Sequence, residues 1–222
     1  MQDLAKFLEP GTYLNSNHNL VQNYAAAVVQ ETDSPLNKAL ALYYHIRDSV
    51  SYFPYFIDLA ADSMKASNLV AKRKGHCIAK AALLAATARS VGIPSRIGFA
   101  KVRNHIGTAG LEKYLETNVL APHGYAELYL NNQWVKATPA FDKKLCEKLG
   151  VAPLEFDGQA DSIFQPYSST GSKQMEYLED FGTYADTPRS LLIDLLKSHY
   201  PQIFKKSQKQ RFLMNIPEQY LT

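Results

Sequence analysis

An Ala-rich run of helix formers, Cys77-Ile78-Ala79-Lys80-Ala81-Ala82-Leu83-Leu84 and on through Ala85 and Ala88, sets a long helix in the middle of the chain. Gly92 is a good residue to end it. The segment Lys74-Gly75-His76-Cys77 puts a thiol at the head of that helix. Free N–H groups and the positive dipole end stabilise an anion there, so a cysteine in that place leans towards thiolate, the nucleophilic form. Gly75 just upstream lets the chain turn tightly and lets a substrate backbone come close.

The remaining elements follow from periodicity. A helix reads from about Leu20 to Gln30, with Val21, Ala25, Val28 and Val29 on one side. Asp33-Ser34-Pro35 is a helix start, and Leu36 to Val50 places Leu40, Tyr43, Tyr44 and Ile46 at helical spacing. The aromatic cluster Tyr52-Phe53-Pro54-Tyr55-Phe56 follows and reads first as packing. Ile93 to Val102 alternates like a strand. Gly124 to Leu130 alternates too, Asn131-Asn132 makes a turn, and Gln133 to Ala137 returns as the second arm of a hairpin. From Phe141 to Pro188 the pattern is looser and rich in turn residues, and Leu191 to His199 is a short amphipathic helix. Helices first and strands second imply an α+β layout around one core.

At 222 residues, 46% of them apolar, the chain can bury one substantial core. A net charge of +3 from 24 basic and 21 acidic residues is too mild to imply nucleic acid. Much of the surplus lies in Lys205-Lys206-Ser207-Gln208-Lys209-Gln210-Arg211, best read as a solvated terminal face. The two cysteines, Cys77 and Cys146, are too sparse for a disulfide framework. Cys77 reads as a free thiol and Cys146, with no motif near it, as structural. No signal peptide or bilayer-spanning run is evident, so cytoplasm is the default compartment and no membrane partner is expected. No His, Cys or carboxylate pair shows ligand spacing, so no metal and no cofactor are expected.

A cysteine nucleophile needs a base within hydrogen-bond reach, and the base needs a third group to orient it. Of His18, His45, His76, His105, His123 and His199, it is His123 that opens the first hairpin strand, where a sheet would hold its side chain rigidly. His76 fits best as a loop residue. The third group should lie on the partner strand or just beyond, where the chain reads Trp134-Val135-Lys136-Ala137-Thr138-Pro139-Ala140-Phe141-Asp142. Trp134 itself reads as a core anchor.

With these residues assembled, the chain resembles the transglutaminase-like superfamily, in particular its microbial cysteine-protease-like branch. The matching text is Gly75-His76-Cys77, Arg89-Ser90-Val91-Gly92-Ile93-Pro94-Ser95-Arg96, His123-Gly124-Tyr125-Ala126-Glu127-Leu128-Tyr129-Leu130, and Trp134 with Thr138-Pro139. The resemblance covers about Leu36 to Asp142 within a single 222-residue domain, with residues 143–222 as a C-terminal extension.

The resemblance implies a papain-like cysteine proteinase fold, with Cys77 heading a central helix packed on an antiparallel sheet that bears His123. Cys77 takes the nucleophile position and His123 the base. The family commonly reads Asp-Pro after the tryptophan, where this chain has Thr138-Pro139, so Thr138 and Asp142 both stand as candidates for the third place. The backbone N–H of Cys77 and an upstream aromatic, Tyr52 or Tyr55, are the candidate oxyanion donors. The expected function is cysteine-dependent acyl transfer from a peptide or other amide, through a thioester opened by water or by an amine. Hydrolysis is favoured because the domain is compact and lacks the accessory domains of large transglutaminases. The alternative is a non-catalytic binding module that keeps the fold.

Overall fold

Small side chains let neighbours approach a helix on every side, and the Ala-rich helix is accordingly enclosed: eleven of its fourteen residues are buried. The structure, a computed structural model, describes residues 3–106, 109–164, 171 and 173–202. In chain order its helices and strands are α1 (Asn19–Ala26), α2 (Pro35–Ser49), β1 (Ser51–Tyr52), α3 (Ala66–Lys72), β2 (Lys74–Gly75), α4 (Cys77–Ser90), β3 (Ser95–Asn104), α5 (Ala109–Leu115), β4 (Val119–Leu130), β5 (Gln133–Ala137), α6 (Lys143–Leu149), β6 (Met175–Tyr184) and α7 (Arg189–His199). The central helix, α4, packs against α1, α2 and α3 and against β3 and β4 of the sheet.

That sheet has four antiparallel strands in the order β5-β4-β3-β6. Ala126 pairs with Ala137 across β4 and β5, and Phe99 and Ala100 on β3 lie opposite Gly124 and His123. Because side chains alternate across a strand, Ile97, Phe99, Ala126, Leu128, Val135 and Ala137 join the helices in one core, while Ala100, Val102, Tyr125 and Met175 form a second cluster with Phe141, Cys146 and Phe164. A short parallel pair, β1 with β2, sets Tyr52 beside Gly75. This α+β arrangement is the expected one. Among the described residues no helix is long and apolar enough to cross a membrane.

The structure differs from the periodicity at three places. The first helix stops at Ala26 rather than near Gln30, and β4 begins at Val119, five residues before Gly124. The segment that reads as loose holds both α6 and β6. α6 is only seven residues long, too short to show a helical period, and is defined instead by its caps: Asp142 Oδ1 accepts the Leu145 N–H at 3.0 Å, and Gly150 closes it at φ 66°. β6 is an edge strand held to β3 partly through Arg103–Glu176 (2.8 Å) and Lys101–Glu179 (3.6 Å), so its exposed acidic residues hide the alternation. The basic run 205–211 lies outside the described residues.

One tie fixes α4 against the end of α2. Lys80 is fully buried, and its Nζ donates to the Arg47 carbonyl at 2.9 Å and the Val50 carbonyl at 2.6 Å, groups that the end of a helix leaves without intrahelical partners. Burial pulls the Lys80 ammonium down to about 7, against the opposing pull of Asp142 and Asp48. Replacing Lys80 with Met keeps the apolar stem but strands two buried carbonyls. Lys80→Met should therefore lose about 2 kcal/mol or more of unfolding free energy in urea titrations. Equal or greater stability in the variant would show that the tie contributes nothing net.

Candidate active site

Cys77 is the first residue of α4, and its N-cap, His76, makes no side-chain cap. The amides of the first turn are therefore free, and those of Cys77 and Ile78 face the sulfur. A third N–H comes from Gly124 on β4, beyond the reach of β5, whose pairing begins at Ala126. Only glycine permits this approach: a Cβ on residue 124 would stand 2.7 Å from the Ile78 Cα. The fourth donor is the Tyr52 hydroxyl, carried to the sulfur by the β1–β2 pair.

These four donors favour thiolate, as the helix-head position suggests. The enclosure works the other way and wins: burial pushes the Cys77 thiol up from its ordinary range despite them. At rest the group is a neutral thiol. The sequence expectation of a lowered pKa is reversed because the sulfur is held under the strand rather than at an open helix end.

His123 is joined directly to the Gly124 nitrogen that faces the sulfur, so the two candidate residues meet at one peptide unit. The imidazole is 1% exposed, and burial holds it down at about 4, so it too is neutral. Neither ring nitrogen makes a hydrogen bond, to Cys77 or to any other described group. Its edge contact is with Tyr177 of β6, centroids 6.4 Å apart at 79°.

The two candidates for the third place part company. Thr138 is 1% exposed with an unpartnered Oγ1, and its carbonyl accepts the Tyr43 hydroxyl at 3.2 Å. Thr138 follows the Ala126–Ala137 pair by one position and His123 precedes it by three, so strand alternation puts both on the same face of the hairpin. Asp142 is committed elsewhere: Oδ1 caps α6 through Leu145, and Oδ2 accepts the Tyr52 backbone N–H at 2.9 Å. Its carboxylate holds the residue whose hydroxyl meets the sulfur, and no hydrogen bond connects it to His123.

Of the two aromatic candidates, Tyr52 reaches the sulfur, while Tyr55 stacks edge-on against Phe53 at 5.5 Å. The sequence did not single out Tyr177, whose buried hydroxyl is electrostatically coupled to Thr138 without closing a hydrogen bond. It also missed Tyr200, which accepts the Ala121 N–H and donates to the Val119 carbonyl, both at 2.9 Å, and so steadies the strand leading to His123. Tyr177 lies on the edge strand that has no clear period, and nothing local marks Tyr200. Cys146 is fully buried and its thiol is pushed up to about 11, a packing residue. Among the described residues no group of three or more His, Cys, Asp or Glu is placed to hold a metal.

The family model of the transglutaminase-like superfamily matches residues 22–139, more than half of the chain, a span that holds Cys77, His123 and Thr138 and stops short of Asp142. Among solved structures, the "Putative Cysteine Protease" of Cytophaga hutchinsonii superposes with a TM-score of 0.50 at 18% identity, over 80% of this chain and 64% of that one, less than two thirds of its length. That likeness shows the papain-like, transglutaminase-like fold. The "Putative Protease" of Parabacteroides distasonis ATCC 8503 aligns at 13% identity and a TM-score of 0.38, over 57% of this chain and 26% of that one. No curated protein matches the sequence.

Two neutral imidazoles, one buried and one half-buried, give the fold a defined acid sensitivity, since His76 is also held at about 4, by loss of water and by Lys72. Between pH 6.5 and 4 the unfolded chain binds these protons and the native state does not, so the stability these two imidazoles contribute falls as pH drops through that window and their share of the fall ends below it. The His123 share is about 3 kcal/mol. Urea midpoints should fall steadily from pH 7 to pH 4, and His123→Asn should flatten the fall. A midpoint unchanged across the window would contradict the neutral-imidazole assignment.

Proposed function

The chain belongs to the transglutaminase-like superfamily, and from that premise we propose that it is a cysteine-dependent acyl-transfer enzyme acting on a peptide or other amide. The observation that carries this is the peptide unit joining His123 to Gly124, which presents its N–H to the sulfur of a cysteine at a helix head. Candidate base and candidate nucleophile are thereby held on two rigid elements pressed together.

The chemistry begins from a neutral pair. His123 takes the proton of Cys77 as the sulfur attacks the amide carbonyl, and charge develops on the carbonyl oxygen. The Cys77 N–H and the Tyr52 hydroxyl, both turned to the sulfur, are the donors this scheme assigns to that charge. The tetrahedral adduct collapses as the C–N bond breaks, and the amine departs with the proton returned by His123. Water then adds to the thioester carbonyl, His123 taking its proton, and the thiol is released with a carboxylic acid; an amine in place of water gives transamidation. The open hydrogen bonds of the resting imidazole fit this scheme, because catalytic hydrogen bonds commonly tighten only when substrate is bound.

Thr138 is the orienting group in this scheme. Its unpartnered Oγ1 shares a buried face with the imidazole and with the unpartnered Tyr177 hydroxyl. Buried polar groups without partners are costly, and three such residues clustered beside a thiol are groups a reaction would use. A second reading, a binding module without turnover, is favoured by the same cluster: no carboxylate stands on the imidazole.

Turnover of a panel of peptide anilides, with and without an added primary amine, separates the two. Cys77→Ala and His123→Ala should each remove about a thousandfold or more of kcat/KM. Tyr52→Phe should cost about a hundredfold if its hydroxyl stabilises the oxyanion. Asp142→Ala should slow the enzyme in the wild-type background but cost little more once Tyr52 is Phe, since the two act through one donor. Turnover retained in Cys77→Ala would end the catalytic proposal.

A further inference from the structure

Cys77 lines a cleft that the acyl-transfer chemistry does not by itself explain. Its apolar walls include Ile57, Leu111, Leu115, Leu120, Pro122 and Leu196, drawn from the segment after β1 and from α5, β4 and α7, and its polar lining is Tyr52, His76, Cys77 and Tyr200. None of these described lining residues is an Asp, Glu, Lys or Arg. The polar ones are uncharged at neutral pH: burial holds His76 at about 4 and raises both tyrosines and the thiol. His76 also lines a neighbouring cavity with Asp58, Lys65, Lys72 and Lys74, in which Cys77 has no part. A further pocket shared by His76 and Ile78 carries Asp58, and Cys77 lines neither of the two.

We propose that the apolar cleft receives an uncharged, apolar side chain of the acyl donor, next to the carbonyl that Cys77 attacks, so that the enzyme selects amides of aliphatic or aromatic acyl groups. This rests on Cys77 being the nucleophile. A charged side chain would lose its water there and find no counter-ion. An apolar one gains by leaving water for these walls. The walls are held in place: Leu111, Leu115 and Leu196 are each at most 3% exposed in one cluster with Tyr200, whose hydroxyl clamps the start of β4.

The test needs no knowledge of the natural substrate. Cys77 is alkylated with iodoacetamide, N-hexyl iodoacetamide and iodoacetate, each rate being read by peptide mass and divided by the rate of the same reagent on the urea-unfolded chain. The hexyl reagent should exceed iodoacetamide by about tenfold or more, the gain from burying only two or three methylenes, and iodoacetate should be the slowest. Ile57→Asp, at a half-buried position on the cleft wall, should erase the hexyl advantage. Equal normalised rates, or iodoacetate the fastest, would overturn the proposal. Loss of the hexyl advantage with Cys77-dependent turnover intact rejects the cleft assignment alone. A hexyl advantage alongside full turnover in Cys77→Ala rejects the nucleophile, and the acyl-donor assignment with it.

Discussion

Everything at the site depends on how closely the first turn of α4 lies on β4. That distance is set by a missing side chain, since any Cβ at residue 124 would run into the helix backbone at Ile78. Because the strand comes so near, a strand amide joins two helix amides around one sulfur, and the histidine of the same peptide unit is brought along. The Ala-rich body of the helix extends the contact, since small side chains let the sheet follow it. Lys80 then secures the other flank by tying α4 to the last carbonyls of α2, the segment that leads directly into Tyr52. The approach of two backbones and one buried ammonium together determine where four hydrogen-bond donors point.

The electrostatic character of the pocket comes from a contest that burial wins twice. Helix amides and a tyrosine hydroxyl would by themselves favour a thiolate, and a thiolate beside an imidazolium is the usual picture of an activated cysteine. Here the thiol is raised and the imidazole lowered, both by loss of water. Each shift favours the uncharged form, so they reinforce one another in keeping the pair neutral.

Much of this was legible in the sequence, for reasons that can be named. The helix at Cys77, the hairpin from Gly124 to Ala137 and the placement of His123 on it rest on strong periods and unambiguous turn residues, and the structure has all three. What escaped was of two kinds. α6 and β6 are too short or too charged to carry a period, so Tyr177 had no context in which to be noticed. Asp142 posed the opposite problem. A carboxylate four residues past Thr138 looks available for an imidazole, but it also stands where a helix needs its N-cap, and the cap takes it. The direction of the thiol shift was out of reach for another reason: local sequence reports the helix end, while desolvation depends on how tightly distant strands close over it.

Asp142 also constrains the chain in a way that reaches beyond its own contacts. One oxygen begins α6 and the other grips the backbone of Tyr52, ninety residues earlier in the chain, so two distant stretches share a single carboxylate. The link from the end of β5 to that carboxylate, Thr138 to Asp142, therefore has a fixed length: one residue added or removed would either unseat the helix or drag the tyrosine off the sulfur. Past Gly150 the same device recurs, the Asp186 carboxylate accepting the Thr12 and Leu14 backbone N–H groups at 2.7 and 2.9 Å. Single carboxylates thus serve as joints at which segments far apart in the chain must keep their spacing.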